Sequence, residues 1–430
     1  MSTLTSAAPS SITSRGQLGS IAIIGALFFI FGFVTWLNGP LITFAQLAFD
    51  LDEVNAFLIL TAFFLSYFFL AIPSSWILKR TGMKKGLALG LFVMAIGAAL
   101  FGEFCTQRWY PGALGGLFVI GGGLALLQTA SNPYISILGP IESAAQRIAV
   151  MGICNKIAGM LAPIAIGLLV MDGIGDLSAQ VAAADPATRE QLLDAFAAKI
   201  HLPYLSMAGL LALLAIGVLF SPLPEIDPKT ANATTGVDDA AAKNGSIFRF
   251  PHLWLGALCI FTYVGAEVMA GDTIGTYGAA FGLPLDQTKF FTSFTLGAML
   301  LGYAAGLLAI QKFVSQQDYL KWSALLGVLL TVGAFFTTGY VSVGFVAALG
   351  FANAMMWPAI FPLAIKGLGR HTELGSALLV MGIVGGAIIP RLFAGLKQDY
   401  DFQLVFLLLM VPCYLYILFF AMRGHQVGRG

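Results

Sequence analysis

The chain has 430 residues, of which 58% are apolar and only 10% charged, whereas an ordinary soluble domain carries about 25% charged residues. With a mean hydropathy of +0.87, this is the composition of a polytopic membrane protein. A net charge of +1 implies no nucleic-acid or acidic partner, and the four cysteines and four histidines show neither metal-ligand spacing nor clustering.

Residues 1–17 are rich in Ser, Thr and Ala and read as a disordered tail. Arg15 precedes an apolar stretch running past Pro40, too long for a signal-peptide core and followed by no small-residue cleavage site. It is therefore a first spanning helix. A span needs roughly 20 apolar residues. Twelve such segments follow, at 20–48, 56–78, 86–105, 113–138, 146–171, 203–221, 251–280, 287–310, 319–339, 341–365, 373–396 and 401–422. The polar insert 172–201 contains DPATREQLLDAFAAK, whose Asp185, Glu190 and apolar spacing predict a short surface helix. The stretch 222–249 is rich in Pro, Asn, Gly and Asp and reads as a linker. The expected architecture is all-α: a six-helix bundle over 18–221, a cytoplasmic linker over 222–249, a second six-helix bundle over 250–423 and a tail over 424–430.

The two halves carry copies of one unit. QTASNPYISILGP followed by AVMGICNKIAGMLAP is answered by AMMWPAIFPLAIKGLG followed by LVMGIVGGAIIP. Asn132-Pro133 matches Trp357-Pro358, and Met151-Gly152-Ile153 matches Met381-Gly382-Ile383. Duplication of half a molecule within a membrane is a mark of alternating-access transporters. The copies diverge after the shared Met-Gly-Ile, into Cys154-Asn155-Lys156 in one and Val384-Gly385-Gly386 in the other.

Basic residues fix the expected orientation. With a cytoplasmic N-terminus, fifteen of the 22 Lys and Arg fall inside, six fall outside (Arg108, Arg189, Lys199, Lys289, Arg391, Lys397), and Lys156 lies within a span. That bias follows the positive-inside rule and puts both termini in the cytoplasm.

Ionisable residues at membrane depth are costly and are functional candidates by default. Lys156 lies about ten residues into the fifth span, near mid-membrane. Glu267 and Asp272 lie in YVGAEVMAGDTIGTYG, whose glycines predict a weakened, broken helix beside a wet cavity. A purely structural ion pair is the competing reading, although desolvation offsets much of a buried pair's attraction. Asn38, Gln128, Asn132, Asn155 and Asn353 occupy the same layer. Their carboxamides both donate and accept, as sugar hydroxyls require; interhelical bonding is their alternative role. Trp36, Tyr263 and Trp357 could stack on a sugar face, and Trp357 stands out because it adjoins Pro358. The turn LKRTGMKKG (Lys79, Arg80, Gly82, Lys84, Lys85) is either plain positive-inside topology or a gate contact.

That basic turn resembles the loop signature of the major facilitator superfamily. Within the superfamily, FGFVTWLNGPLITFAQ (ending at Gln46), GGGLALLQTASNPYISILGP (121–140), FTYVGAEVMAGD (261–272) and the run 357–390 resemble the fucose/glucose/galactose symporter family. The resemblance implies the twelve-helix major facilitator fold and sugar uptake across the inner membrane with a co-transported cation, by a monomer in the lipid bilayer and without a bound cofactor. One departure matters. The fucose/proton branch carries Asn-Asp in the first helix and Glu before Thr-Ala in the fourth, residues implicated in proton coupling and sugar binding. Gly39 and Gln128 stand there instead, and neither titrates. Sugar binding is then expected at Asn38, Gln128, Asn132, Asn155, Asn353 and Trp357. Coupling falls to Glu267 or Asp272, with Lys156 as counter-charge. The ion is H+, slightly favoured, or Na+ held at Glu267 and Asp272; a uniporter with Lys156 as built-in cation stays open. The substrate is expected to be a hexose such as glucose or galactose, with an N-acetylated amino sugar such as N-acetylglucosamine as alternative. A membrane-embedded sensor or enzyme is the distant one, since no nucleophile-base constellation is visible.

Overall fold

A computed structural model describes residues 14–137, 144–223, 246–310, 313–368 and 371–428. Twelve helices are long and apolar enough to cross a membrane. They are α1 (Ser14–Trp36 continued by Asn38–Ala48), α2 (Leu58–Thr81), α3 (Met83–Thr106), α4 (Tyr110–Ile137), α5 (Ala144–Leu169) and α6 (His201–Phe220) in the first half. The second half holds α7 (Pro251–Gly271), α8 (Phe291–Ala309), α9 (Gln316–Phe335), α10 (Gly339–Asn353 continued by Met356–Ile365), α11 (Thr372–Met381 continued by Gly385–Leu396) and α12 (Phe402–Met422). All twelve expected spans are present. Most of the linker 222–249 and the first 13 residues lie outside the described residues.

The halves are built alike. In the first, α3 packs on α4 and α6, α2 on α4, and α1 on α5; in the second, α9 packs on α10 and α12, α8 on α10, and α7 on α11. Each pair in one list has its counterpart six helices later in the other. The junction between halves obeys the same symmetry, with α2 on α11 and α8 on α5. This is two six-helix bundles related by a pseudo-two-fold axis.

In a bilayer, association rests on close packing rather than on a hydrophobic difference, so small residues mark the contacts. On α3, Gly90 faces Gly123 of α4, and Gly97 faces Gly116. A Cβ on Gly123 would sit 2.5 Å from the Gly90 carbonyl oxygen.

The regular helices are interrupted where polar residues enter the membrane. α1 breaks at Leu37, and Asn38 Nδ2 donates to the Thr35 carbonyl at 3.0 Å, satisfying a backbone group that the break exposes. α7 ends at Gly271, and the chain resumes as Ile274–Ala280. Thr292 and Thr295 of α8 donate to the Gly271 and Ala270 carbonyls, both at 2.8 Å. These hydroxyls supply the hydrogen bonds that a broken helix loses in a bilayer.

The insert after α5 forms two helices, Ile174–Ala183 and Pro186–Ala198. Asp185 caps the second by accepting from the Ala187 and Thr188 amides, the surface helix expected from the sequence. Arg108 ties this helix to the α3–α4 turn through Glu190 and Asp194. Burial works against the Arg108 charge, but those two carboxylates outweigh it and hold its pKa above the usual guanidinium value.

Candidate functional site

A cavity of about 140 Å³ lies where the two bundles meet. Side chains from eight helices line it: Phe28, Phe31, Thr35 and Trp36 of α1, Phe64 and Tyr67 of α2, Gln128 of α4, and Ile148, Gly152, Asn155 and Lys156 of α5. From the second half come Tyr263, Val264, Glu267 and Val268 of α7 with Asp272 beyond its end, Tyr303 of α8, Trp357 and Pro358 of α10, and Ile383 of α11. The Met-Gly-Ile of each repeat therefore reaches the cavity, as Gly152 on one side and Ile383 on the other. Gly152 is required there, because a Cβ would press to 2.7 Å from the Tyr303 ring.

An ion pair in the cavity wall spans the junction. Lys156 Nζ of the first half lies 2.9 Å from Glu267 Oε1 of the second, with the two side chains 8% and 12% exposed. The same ammonium lies 4.4 Å from the centre of the Trp36 ring, a cation–π contact. Trp36 is in turn wedged against Gly159 and Gly271, where a Cβ would come within 2.4 Å of its ring. Thus the break in α1, the break in α7 and the ion pair form one unit.

Neutral polar groups share the cavity wall with aromatic rings. Gln128 Nε2 donates to the Tyr67 hydroxyl at 3.3 Å, and Asn155 Nδ2 to the Phe28 carbonyl at 3.4 Å. Trp357 stacks on Phe361, with ring centroids 5.7 Å apart.

Of the expected residues, the structure brings together Gln128, Asn155, Trp357, Lys156, Glu267 and Asp272 around one space. It places two others elsewhere. Asn38 is buried against its own helix break. Asn353 accepts a hydrogen bond from the Tyr414 hydroxyl at 2.9 Å and does not line the cavity. The side chain of Asn132 lies outside the described residues. Tyr67, Tyr303, Thr35 and Phe64 are cavity residues that the sequence reading missed. Phe28, Phe31 and Thr35 are spaced three, then four residues apart and share one helix face, but 35 Phe and 12 Tyr make many such faces. Among the described residues, no group of three His, Cys, Asp or Glu could hold a metal ion.

A twelve-helix protein in two symmetric halves, with a polar and aromatic cavity at their junction, has the build of a membrane transporter. Residues 24–390 match the model of the Major Facilitator Superfamily, and the chain belongs to that family. It is 34% identical over 403 residues to a glucose/galactose transporter of Brucella abortus, covering 93% of this chain and 92% of the relative. It is 30% identical over 386 residues to the L-fucose-proton symporter of Escherichia coli, covering 87% and 86%. The crystal structure of FucP in the outward conformation superposes with a TM-score of 0.74 at 26% identity, covering 95% of this chain and 99% of that one.

Proposed function

We propose that this protein carries a hexose, of the glucose, galactose or fucose type, across the inner membrane by alternating access, coupled to a cation. The observation that carries the reading is the junction cavity, where carboxamides and hydroxyls (Gln128, Asn155, Tyr67) stand among aromatic faces (Trp36, Tyr263, Trp357). Carboxamides exchange hydrogen bonds with sugar hydroxyls, and flat rings cover the apolar face of a pyranose. The printed activities of the Brucella and Escherichia relatives support the same class of substrate. The excess of Lys and Arg on the loops that share the termini's side supports cytoplasmic termini. Within the cavity, Glu267 and Asp272 are the candidate coupling acids and Lys156 their counter-charge, with H+ ahead of Na+ as the ion.

Reconstituted protein tests this directly. Vesicles given an inward proton gradient, a sodium gradient or neither should accumulate labelled glucose, galactose or fucose only when the coupling gradient is present. Equal uptake in all three conditions rules out symport. Absence of counterflow for every sugar in the panel rules out the carrier reading itself.

A further inference from the structure

Glu267 and Asp272 sit five residues apart and line the same cavity, yet their surroundings differ in kind. Glu267 has a fixed positive partner in Lys156 at 2.9 Å. Asp272 is 1% exposed, and neither of its carboxyl oxygens has a hydrogen-bond partner of normal geometry among the described residues. The Gly39 backbone N–H faces it, and its charged neighbours are Glu267 on α7 and Lys156 on α5. From α1 and α8, the groups against it are Gly39 and Thr292, which do not titrate. The missing side chain at position 39 makes this pocket: a Cβ there would lie 3.1 Å from Asp272 Oδ1 and 2.7 Å from Thr292 Oγ1.

Resting on the carrier reading above, we propose that Asp272 carries the coupling proton and that the Lys156–Glu267 pair does not. A buried carboxyl without a partner is tolerated when its charge is cancelled, and one proton does that with no further ligand. Sodium would need several oxygens converging on the site. The group that faces the carboxyl from α1 is the Gly39 N–H, a donor where a metal ion needs an acceptor, and the hydroxyls of Thr292 and Thr295 are turned to the Gly271 and Ala270 carbonyls. At Glu267 a proton would instead have to displace an ammonium held by both a carboxylate and an indole face. Asp272 borders the cavity on one side, its route to water, and is covered on the other by the close contact of Gly39 with Thr292. The step is a simple exchange: Asp272 takes a proton from water on one side of the membrane and releases it to water on the other.

The test compares Asp272→Asn, Asp272→Glu and Glu267→Gln with the parent in proteoliposomes, with sugar counterflow read in the same vesicles. At one proton per sugar, a gradient of one pH unit sustains about tenfold accumulation. The parent should reach that ratio, D272N should stay near a ratio of one while still exchanging sugar more slowly, and E267Q should accumulate with weakened sugar affinity. Accumulation by D272N at the parent's ratio overturns the proposal, as does its loss in E267Q but not in D272N. If D272N does not fold, D272E decides: the longer arm should shift the pH of half-maximal accumulation, and an unchanged profile overturns the assignment. If E267Q does not fold because Lys156 is left stranded, Lys156→Met with Glu267→Gln takes its place, and loss of accumulation there but not in D272N overturns the proposal. A parent that exchanges sugar but ignores the pH gradient overturns the proton role and leaves the carrier intact; a parent with no exchange at all removes the reading on which it rests.

Discussion

Lys156 shows how one side chain can hold two bundles in register. Its ammonium is paired with Glu267 across the junction and covered by Trp36. Removing one member of a buried pair leaves the other charge stranded, at a cost of about 3–5 kcal/mol, whereas removing both is often nearly neutral. Lys156→Met should therefore lower the thermal midpoint of detergent-purified protein sharply, and adding Glu267→Gln should restore much of it. Additive losses in the double variant would show that the two side chains act independently. The carboxamides give a second contrast. Gln128→Ala removes a cavity hydrogen-bond group and should raise the half-saturating sugar concentration roughly tenfold, the equivalent of about 1.4 kcal/mol. Asn38→Ala should cost about 1 kcal/mol of stability and leave half-saturation unchanged; a tenfold rise there would place Asn38 on the substrate path. From sequence, Asn38, Asn353, Gln128 and Asn155 were the same signal, an amide in an apolar helix. What separates them is tertiary. Asn38 serves a helix break and Asn353 pairs with Tyr414, a residue 61 positions away. The charged candidates were more legible, because a lysine or carboxylate at membrane depth has few structural uses.

At the scale of elements, the mismatch between the repeats acquires a physical meaning. Met-Gly-Ile aligns Asn155 with Gly385 and Lys156 with Gly386. The structure shows that α1 crosses α5 at Gly32, where a Cβ would lie 1.9 Å from the Asn155 carbonyl oxygen. It also shows that α7 crosses α11 at Gly385, where a Cβ would lie 1.9 Å from the Phe261 carbonyl oxygen. The same close crossing occurs in both halves, but the glycine is supplied by α1 in one and by α11 in the other. Moving the small residue onto α1 left α5 free to carry Asn155 and Lys156 at the cavity. Gly32→Ala and Gly385→Ala must each push two backbones apart, so each should cost about 1–3 kcal/mol. Size-exclusion thermal stability of the two variants checks this, and a parent-like midpoint in both would mean the crossings are slack. The duplication was plain in the sequence, and so was the weak point of α7, through its glycines. The break in α1 had its cue in Gly39-Pro40: Pro40 has no N–H to give the Trp36 carbonyl and its ring crowds that turn, so the helix is interrupted at Leu37. What only the structure shows is how the break is satisfied, through the Asn38–Thr35 bond and the packing of Trp36 on Gly271.

Across the whole molecule, the end away from the termini is tied shut by bonds between the halves. Lys289, just before α8, donates to the Met171 carbonyl at 2.8 Å, and Asp286 accepts from the Gly175 amide at 3.0 Å. Ser293 donates to the Met160 carbonyl at 2.8 Å, and Lys397 pairs with Glu53. Lys289, Lys397 and Glu53 come from loops that the charge pattern grouped on one side, and the structure brings them to one end, while Ser293 and Met160 lie within α8 and α5. Which segment meets which was not legible, since each bond joins segments more than a hundred residues apart. An alternating-access carrier must break all four contacts to open at this end, and their summed strength sets how seldom it does so. Each intramolecular hydrogen bond contributes about 1 kcal/mol, and bonds to charged groups contribute more. Losing two should therefore shift the balance of states on the order of thirtyfold toward the form open at this end. Asp286→Ala combined with Lys289→Met removes two contacts and touches no cavity residue. Spin labels at Gln180 and Gln398, exposed positions on opposite halves at this end, should then report a second, longer distance that gains weight over the parent's. The cavity itself should still bind sugar, because opening changes which side the site faces and not the groups that line it. A distance distribution identical to the parent's would show that these bonds do not hold the end closed, and would leave the helix packing of α2 on α11 and α8 on α5 as the barrier.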